Sequence, residues 1–249
     1  MIDTHSHILS AIDDGADDLS ESIEFVKKAA GQGVDTIFAT PHACDGVFNC
    51  TKEDILQSCA ALTDALNAKG ISTRVVPGAE IRVNHDLVME YDKGNLLTLN
   101  NSGRWLLIEL PAIFMAKAVS MMIRQLKDRG VTPIIAHAER NPMILSKPEL
   151  ISDFIYHGAV IQITGASLAG DFGRFSMKAA KTMTVMDQVF CLGSDIHPGR
   201  RYRMADARKK LIKLLGRTKA DLITHENPAA ILEDTDFFIN ANTKKRRID

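Results

Sequence analysis

The sequence predicts an α/β fold in which a parallel sheet is covered by helices, at a size that suits one α/β barrel. Three observations lead there. Short, nearly continuous apolar runs alternate with amphipathic stretches from end to end, the pattern of buried parallel strands joined by crossover helices. The length of 249 residues is usual for a single α/β barrel. Side chains of metal-binding type stand at the C-terminal ends of six of about seven strands, the end where such barrels build their sites.

The first strand is the opening Met-Ile-Asp-Thr-His-Ser-His, where period-two alternation puts Asp3, His5 and His7 on one face. Further strands are expected at 36–40, 74–77, 105–110, 133–136, 159–163 and 189–192, all apolar and rich in β-formers. A helix follows Asp17 and Asp18, with Ile23, Val26, Ala29 and Ala30 as its apolar stripe. The next starts at Thr51, with Asp54 three residues on making a near capping box. Helical spacing returns at 117–129, 149–156, 175–186 and 205–215, and 218–232 reads as short helices closing the fold. No linker, low-complexity run or longer repeat interrupts this, so residues 1–249 read as one domain.

Composition narrows the function classes. The hydrophobic share is 45%, the charged share 24% and the net charge −1, so no global field draws the chain to nucleic acid or an anionic membrane. The basic run Lys244-Lys245-Arg246-Arg247 reads as a solvated tail. No apolar run approaches a membrane span, and the N-terminus has no signal-peptide pattern. Cys44, Cys50, Cys59 and Cys191 show neither CxxC spacing nor a disulfide framework, which fits a reducing cytoplasm.

The chemistry gathers at the strand ends. His5 and His7 end the first strand, His42 follows the second and Glu80 the third. Glu109 ends the fourth and His137 the fifth, while Asp195 and His197 end the seventh. Asp13 or Asp14, in the loop past His7, adds a further carboxylate. Each position alone is an ordinary loop residue, but the same end is marked each time. Eight or nine such ligands exceed what one ion of four to six coordination takes, which implies two or three metals with bridging carboxylates. Glu109, on the middle strand, is the bridging candidate. The imidazole–carboxylate mixture suits Mn, Fe, Zn or Co, and clustered metals activate water and clamp displacement at phosphorus. An anion anchor is expected from Arg140 and one of Arg200, Arg201 and Arg203, since a guanidinium fork matches phosphate. His85, His157 and His225 lie away from strand ends and read as structural or exposed.

These motifs, in order and over essentially the whole length, resemble the PHP (polymerase and histidinol phosphatase) superfamily, and within it the bacterial protein-tyrosine phosphatases of capsule and exopolysaccharide operons. The stretches that carry the likeness are 2–7, 12–15, 39–42, 77–81, 107–111, 135–141, 160–173 and 193–197. The resemblance implies a distorted TIM-like barrel of about seven βα units (the PHP fold) and a trinuclear site, often manganese-dependent, with Mg among the alternatives. It also implies a substrate in the phosphotyrosine tail of a membrane-bound bacterial tyrosine kinase that controls polysaccharide export. Carried over residue by residue, the ligands would be His5, His7, Asp14, His42, Glu80, Glu109, His137, Asp195 and His197, with Arg140 and Arg201 on the phosphate. Four features depart from the family pattern: Ala138 for Pro, Ala43 for a second His, Pro198 for Asn, and a shorter loop at 199–204.

The expected reaction is hydrolysis of a phosphomonoester without a phosphoenzyme. The Cys-x5-Arg signature is missing, because the sixth residue after each cysteine is Cys50, Leu56, Ala65 or His197. Two alternatives use the same residues: another PHP phosphoesterase, for histidinol phosphate or a small nucleotide, and a non-catalytic metal-stabilised module that binds phosphopeptide.

Overall fold

The computed structural model describes residues 1–43 and 46–235. Cys44 and the basic run at 244–247 lie outside the described residues. Strands β1 (Ile2–Asp3), β2 (Thr36–Ala39) and β4 (Arg74–Pro77) form one sheet. The second sheet holds β3 (His42–Ala43), β5 (Glu80–Arg82), β6 (Trp105–Glu109), β7 (Thr132–Ile135), β8 (Val160–Thr164) and β9 (Val189–Gly193). Every pairing is parallel.

Strands β2 and β3 continue one another across Thr40 and Pro41, and β4 and β5 across Gly78 and Ala79, so among the described residues nine strands fill the seven expected positions. The breaks have local causes. Pro41 has no N–H for a ladder, and Thr40 N–H turns to Ser6 O at 2.8 Å. A Cβ on Gly78 would lie 2.6 Å from Leu99 Cδ2, so any side chain there would have to push the Leu99 terminal methyl aside. Strands of two or three residues leave no periodicity, which is why β3 and β5 were not expected. Beyond Asp3 the chain bridges the two ends of the array. Thr4 N–H donates to Leu192 O at 3.4 Å, and Asp195 N–H donates to His5 O at 2.8 Å. The result is a distorted, TIM-like arrangement in sequential strand order.

Helices cover the outside: α1 (Leu19–Gly31), α2 (Lys52–Ala68), α3 (Leu87–Asp92), α4 (Ala116–Asp128), α5 (Pro142–Ser146), α6 (Glu149–Tyr156), α7 (Gly165–Ala169), α8 (Gly173–Val185), α9 (Met204–Leu215), α10 (Arg217–Asp221) and α11 (Asn227–Glu233). Asp18 caps α1 by accepting from Glu21 N–H, and Thr51 with Asp54 completes a capping box on α2. Ile23, Val26 and Ala29 are buried as expected, but Ala30 is exposed and Phe25 takes its place. Strand residues alternate between two cores. Ile37, Leu106, Ile108, Ile135, Ile161 and Leu192 pack outward under the helices. Phe38, Val76, Trp105, Leu107, Ile134 and Phe190 fill the interior, and Ile231 of α11 packs among them at the end away from the ligands. Each fully buried side chain of this size contributes about 1.5–3 kcal/mol. Among the described residues, no helix is long and apolar enough to cross a membrane.

Candidate metal centre

The segment after β1 presents His5 and His7 from the same side, with their Nε2 atoms 3.0 Å apart. Two ring nitrogens that close need a proton or a cation between them. A hydrogen-bond relay sets the His5 tautomer. Thr4 Oγ1 donates to Leu192 O and accepts from Gln162 Nε2, which leaves Gln162 Oε1 to accept from His5 Nδ1 at 2.8 Å. Asp13 Oδ2 takes the Nδ1 proton of His7 at 2.6 Å and the His42 N–H at 3.0 Å. His197 Nδ1 faces its neighbour's carbonyl, Asp195 O, at 3.1 Å. In all three rings Nε2 is thereby left as the free donor to the centre, the usual outcome of a carboxylate or carbonyl behind a ligating imidazole.

Glu80 lies at the middle. It is fully buried, with Oε1 2.8 Å from His137 Nε2. Its Oε2 is 3.2 Å from His5 Nε2, 3.3 Å from His42 Nδ1 and 3.4 Å from His7 Nε2. Glu80 Oε2 and His42 Nδ1 are buried without a hydrogen-bond partner, a costly state for atoms that are good ligands. Asp14 Oδ1 stands 3.2 Å from His197 Nε2 and 3.8 Å from His42 Nε2. Glu109 Oε1 is 3.9 Å from His137 Nε2.

Three groups of ligand atoms result, each with all its atoms within 4.8 Å of one another: His7, Asp14, His42 and His197; His5, His7 and Glu80; Glu80, Glu109 and His137. His7 joins the first to the second, and Glu80 the second to the third. The electrostatics match a place for cations. Burial alone would lower the His7 pKa, yet Asp13 and Glu80 outweigh it and lift it to about 10. Burial would likewise raise that of Glu80, but His5 and His137 hold it well below the usual carboxylate range. Burial and the neighbouring His7 lower His197 to about 4. Protons drawn onto His5 and His7 supply charge that divalent ions would supply instead. The donor set, imidazole and carboxylate with orphaned buried atoms, therefore fits such ions.

Asp195 links this cluster to an anion-binding edge. Its Oδ1 lies 3.5 Å from His7 Nε2 and 3.7 Å from His5 Nε2. Its Oδ2 accepts from Arg140 Nη2 at 2.5 Å and Arg200 Nη1 at 2.7 Å. Burial opposes ionisation, but Arg140 and the histidines keep Asp195 below its ordinary range. His137 (φ 32°) and Asp195 (φ 52°) both adopt left-handed backbone, an outlier that the surrounding structure holds at the site.

The chain matches the capsular polysaccharide synthesis family CpsB/CapC over residues 1–233. It belongs to that family. It is 34% identical over 240 residues to the tyrosine-protein phosphatase YwqE of Bacillus subtilis, covering 96% of this chain and 94% of that one. It is 29% identical to the tyrosine-protein phosphatase CpsB of Streptococcus pneumoniae, over 94% of this chain and 99% of the relative. A crystal structure from work on YwqE and CpsB, described as metal-dependent tyrosine phosphatases, superposes with a TM-score of 0.89 at 33% identity and covers 96% of each chain. A histidinol phosphate phosphatase of Lactococcus lactis, at 11% identity and a TM-score of 0.57, shares the fold.

In this CpsB/CapC chain the structure brings eight of the nine expected ligands into the three groups, with Asp195 alongside. Two expectations change. Glu80, not Glu109, holds the shared position, because β5 carries it to the centre while Glu109 is half-turned toward Arg82, 3.9 Å away. Arg200, not Arg201, reaches the cluster. Tyr202 is buried with its hydroxyl donating to Asp3 at 2.5 Å, so strand-like alternation turns Arg200 inward with it and leaves Arg201 exposed. Arg203 is occupied by Asp171 and Asp206. Asp3 accepts from the Tyr202 hydroxyl and from the Ser194 and His5 backbone N–H groups and does not face the histidine rings. His85 and His225 are exposed and His157 lies on the helical face, all away from the cluster. Sequence reasoning offered Asp13 only as an alternative to Asp14 among the ligands, not as the carboxylate behind His7, and gave no role to Gln162. A buried amide mid-strand was the signal available for Gln162.

Proposed function

We propose that this chain is a metal-dependent protein-tyrosine phosphatase that acts in the cytoplasm, as a single domain, on the phosphotyrosine tail of a membrane-bound tyrosine kinase governing capsule or exopolysaccharide synthesis. The observation that carries the reading is the run of three ligand groups joined through His7 and Glu80, with Asp195 tying it to two arginines. His5, His7, Asp14, His42, Glu80, Glu109, His137 and His197, with Asp195, would hold two or three divalent ions. Manganese is the ion that the family resemblance implies, and the mixed imidazole and carboxylate donors also admit Fe, Zn, Co or Mg. Bound there, the ions supply an activated water and positive charge at phosphorus. Gln162 and Asp13 keep the His5 and His7 rings in ligating orientation. Arg140 and Arg200 take the non-bridging phosphate oxygens through N–H groups not spent on Asp195. The phenolate leaving group, with a pKa of about 10, departs with less proton assistance than an alkoxide needs. The free thiols of Cys50, Cys59 and Cys191 are compatible with a reducing compartment.

The test is metal content and phosphate release measured on one sample, from a phosphotyrosine peptide and from histidinol phosphate, with and without chelator and added Mn²⁺. Two or three equivalents of metal with chelator-sensitive release from the peptide support the reading. Faster release from histidinol phosphate would move the chain to the other phosphoesterases, and metal without release would make it a binding module.

A further inference from the structure

The stretch Ser-Leu-Ala-Gly-Asp-Phe-Gly at 167–173 joins α7 to α8, and nothing in the ligand geometry accounts for its aromatic residue. Phe172 lies against both arginines of the site. The Arg140 guanidinium carbon is 4.3 Å from the Phe172 ring centroid, and that of Arg200 is 5.6 Å away. Both distances lie within cation–π range. The same two guanidinium groups converge on one oxygen, Asp195 Oδ2. Their side chains are 19% and 36% exposed, so Arg200 stands at the solvent edge, held by its bonds to the Asp195 carboxylate and carbonyl and by its contact with the ring. The backbone that carries the ring is tethered: Asp171 pairs with Arg203, which ties 171–172 to the loop that carries Arg200. Gly170 N–H and Asp171 N–H both return to Ala166 O at 2.9 Å, fixing the turn.

Stacking uses the face of a guanidinium and leaves its N–H edge open. Among the described residues, Arg140 donates to protein only through Nη2 and Arg200 only through Nη1. Two cations sharing one carboxylate oxygen also repel each other, and the negative ring face offsets part of that repulsion. We propose that Phe172 is a positioning residue, an aromatic clamp that holds the planes of Arg140 and Arg200 so that their open edges receive the oxygens of the substrate phosphate. The clamp deepens the phosphatase reading and rests on it for the identity of the anion.

The experiment compares metal-loaded wild type, F172L, F172M and F172Y. Calorimetric titration with inorganic phosphate reads the anion site without turnover, and steady-state kinetics on a phosphotyrosine peptide read KM against kcat. Leu and Met keep an apolar side chain of similar size but have no π face, so either serves if the other does not fold. Phosphate affinity is expected to fall about tenfold in F172L and F172M. KM should rise in proportion while kcat stays within about threefold, and F172Y should restore both. Metal content should be equal in all four. Phosphate affinity unchanged in F172L and F172M, an equal loss in F172Y, or a fall in metal content would each overturn the clamp, as would a wild type that binds no phosphate. A wild type that binds phosphate but releases none from the peptide would sink the phosphatase reading instead, and the affinity comparison would still decide the clamp.

Discussion

Gly193 ends β9 directly beside His5. A Cβ at that position would lie 2.6 Å from His5 Cβ, with Gln162 Cδ at 3.1 Å. Ordinary contact starts at 3.4 Å, so Gly193→Ala requires a displacement of about 0.8 Å. No rotamer relieves it, because the obstacle is the His5 Cβ itself. His5 is held there by Asp195 N–H on its carbonyl and by Gln162 on its ring. Overpacking a tight site of this kind costs about 1–3 kcal/mol. At 2 kcal/mol, a chain of this length should lose roughly 4–8 °C in Tm. The displaced atom belongs to a ligand, so the larger effect is chemical. A shift near 1 Å should lower turnover roughly 10- to 100-fold, and metal content should fall with it. Thermal unfolding with chelator and with Mn²⁺, metal analysis and phosphotyrosine-peptide turnover measure the three consequences. A G193A protein with wild-type Tm, metal content and rate would refute the claim that β9 packing fixes His5.

Glu80→Gln removes the carboxylate shared by two ligand groups and should lose more than half the bound metal and at least about 100-fold in rate, whereas Glu109→Gln touches one group only; equal metal in the two variants would contradict the central place of Glu80. Arg200→Ala should raise KM for phosphotyrosine peptide about tenfold while Arg201→Ala leaves it unchanged, and the reverse result would return the role to Arg201. The metal-free protein should lose stability as pH rises. His7 is raised from 6.5 to about 10, so its contribution is complete below about 6.5 and is lost on the way to 10, with an upper bound of about 5 kcal/mol. Unfolding scans at pH 6 and pH 9 on chelated and Mn²⁺-loaded samples check it, and a chelated sample equally stable at both values would refute it. Replacing Cys44 and Cys50 by Ser and the buried Cys59 and Cys191 by Ala should leave turnover within about twofold. Burial pushes the last two thiols up to about 12, which is no state for a nucleophile.

The sequence by itself determined the parallel α/β plan, the seven strand positions and the residues at their ligand-bearing ends. Apolar runs of four or five residues and helix caps such as Asp18 and Thr51–Asp54 are local signals, and a strand's end is a one-dimensional fact. Which of those ends meet is not. Glu80 became the centre, and Glu109 its neighbour, only because β4 breaks at Gly78 and β5 sets out again against β3 and β6. Arg200 and Arg201 differ by a single position in a loop, and the parity was decided far away by the burial of Tyr202 against Asp3. Asp13 was placed behind His7, and Asp14 before His197, by the close turn at Gly15, where a Cβ would meet His7 O at 2.2 Å. Gln162 and Phe172 lie in a stretch that carries the family likeness without announcing a role, and their roles exist only through His5, 157 residues from Gln162, and through Arg140 and Arg200, 32 and 28 residues from Phe172, which the fold brings into contact. Ligand type is a property of a residue, whereas ligand geometry, tautomer and guanidinium orientation are properties of neighbours, and only packing supplies neighbours.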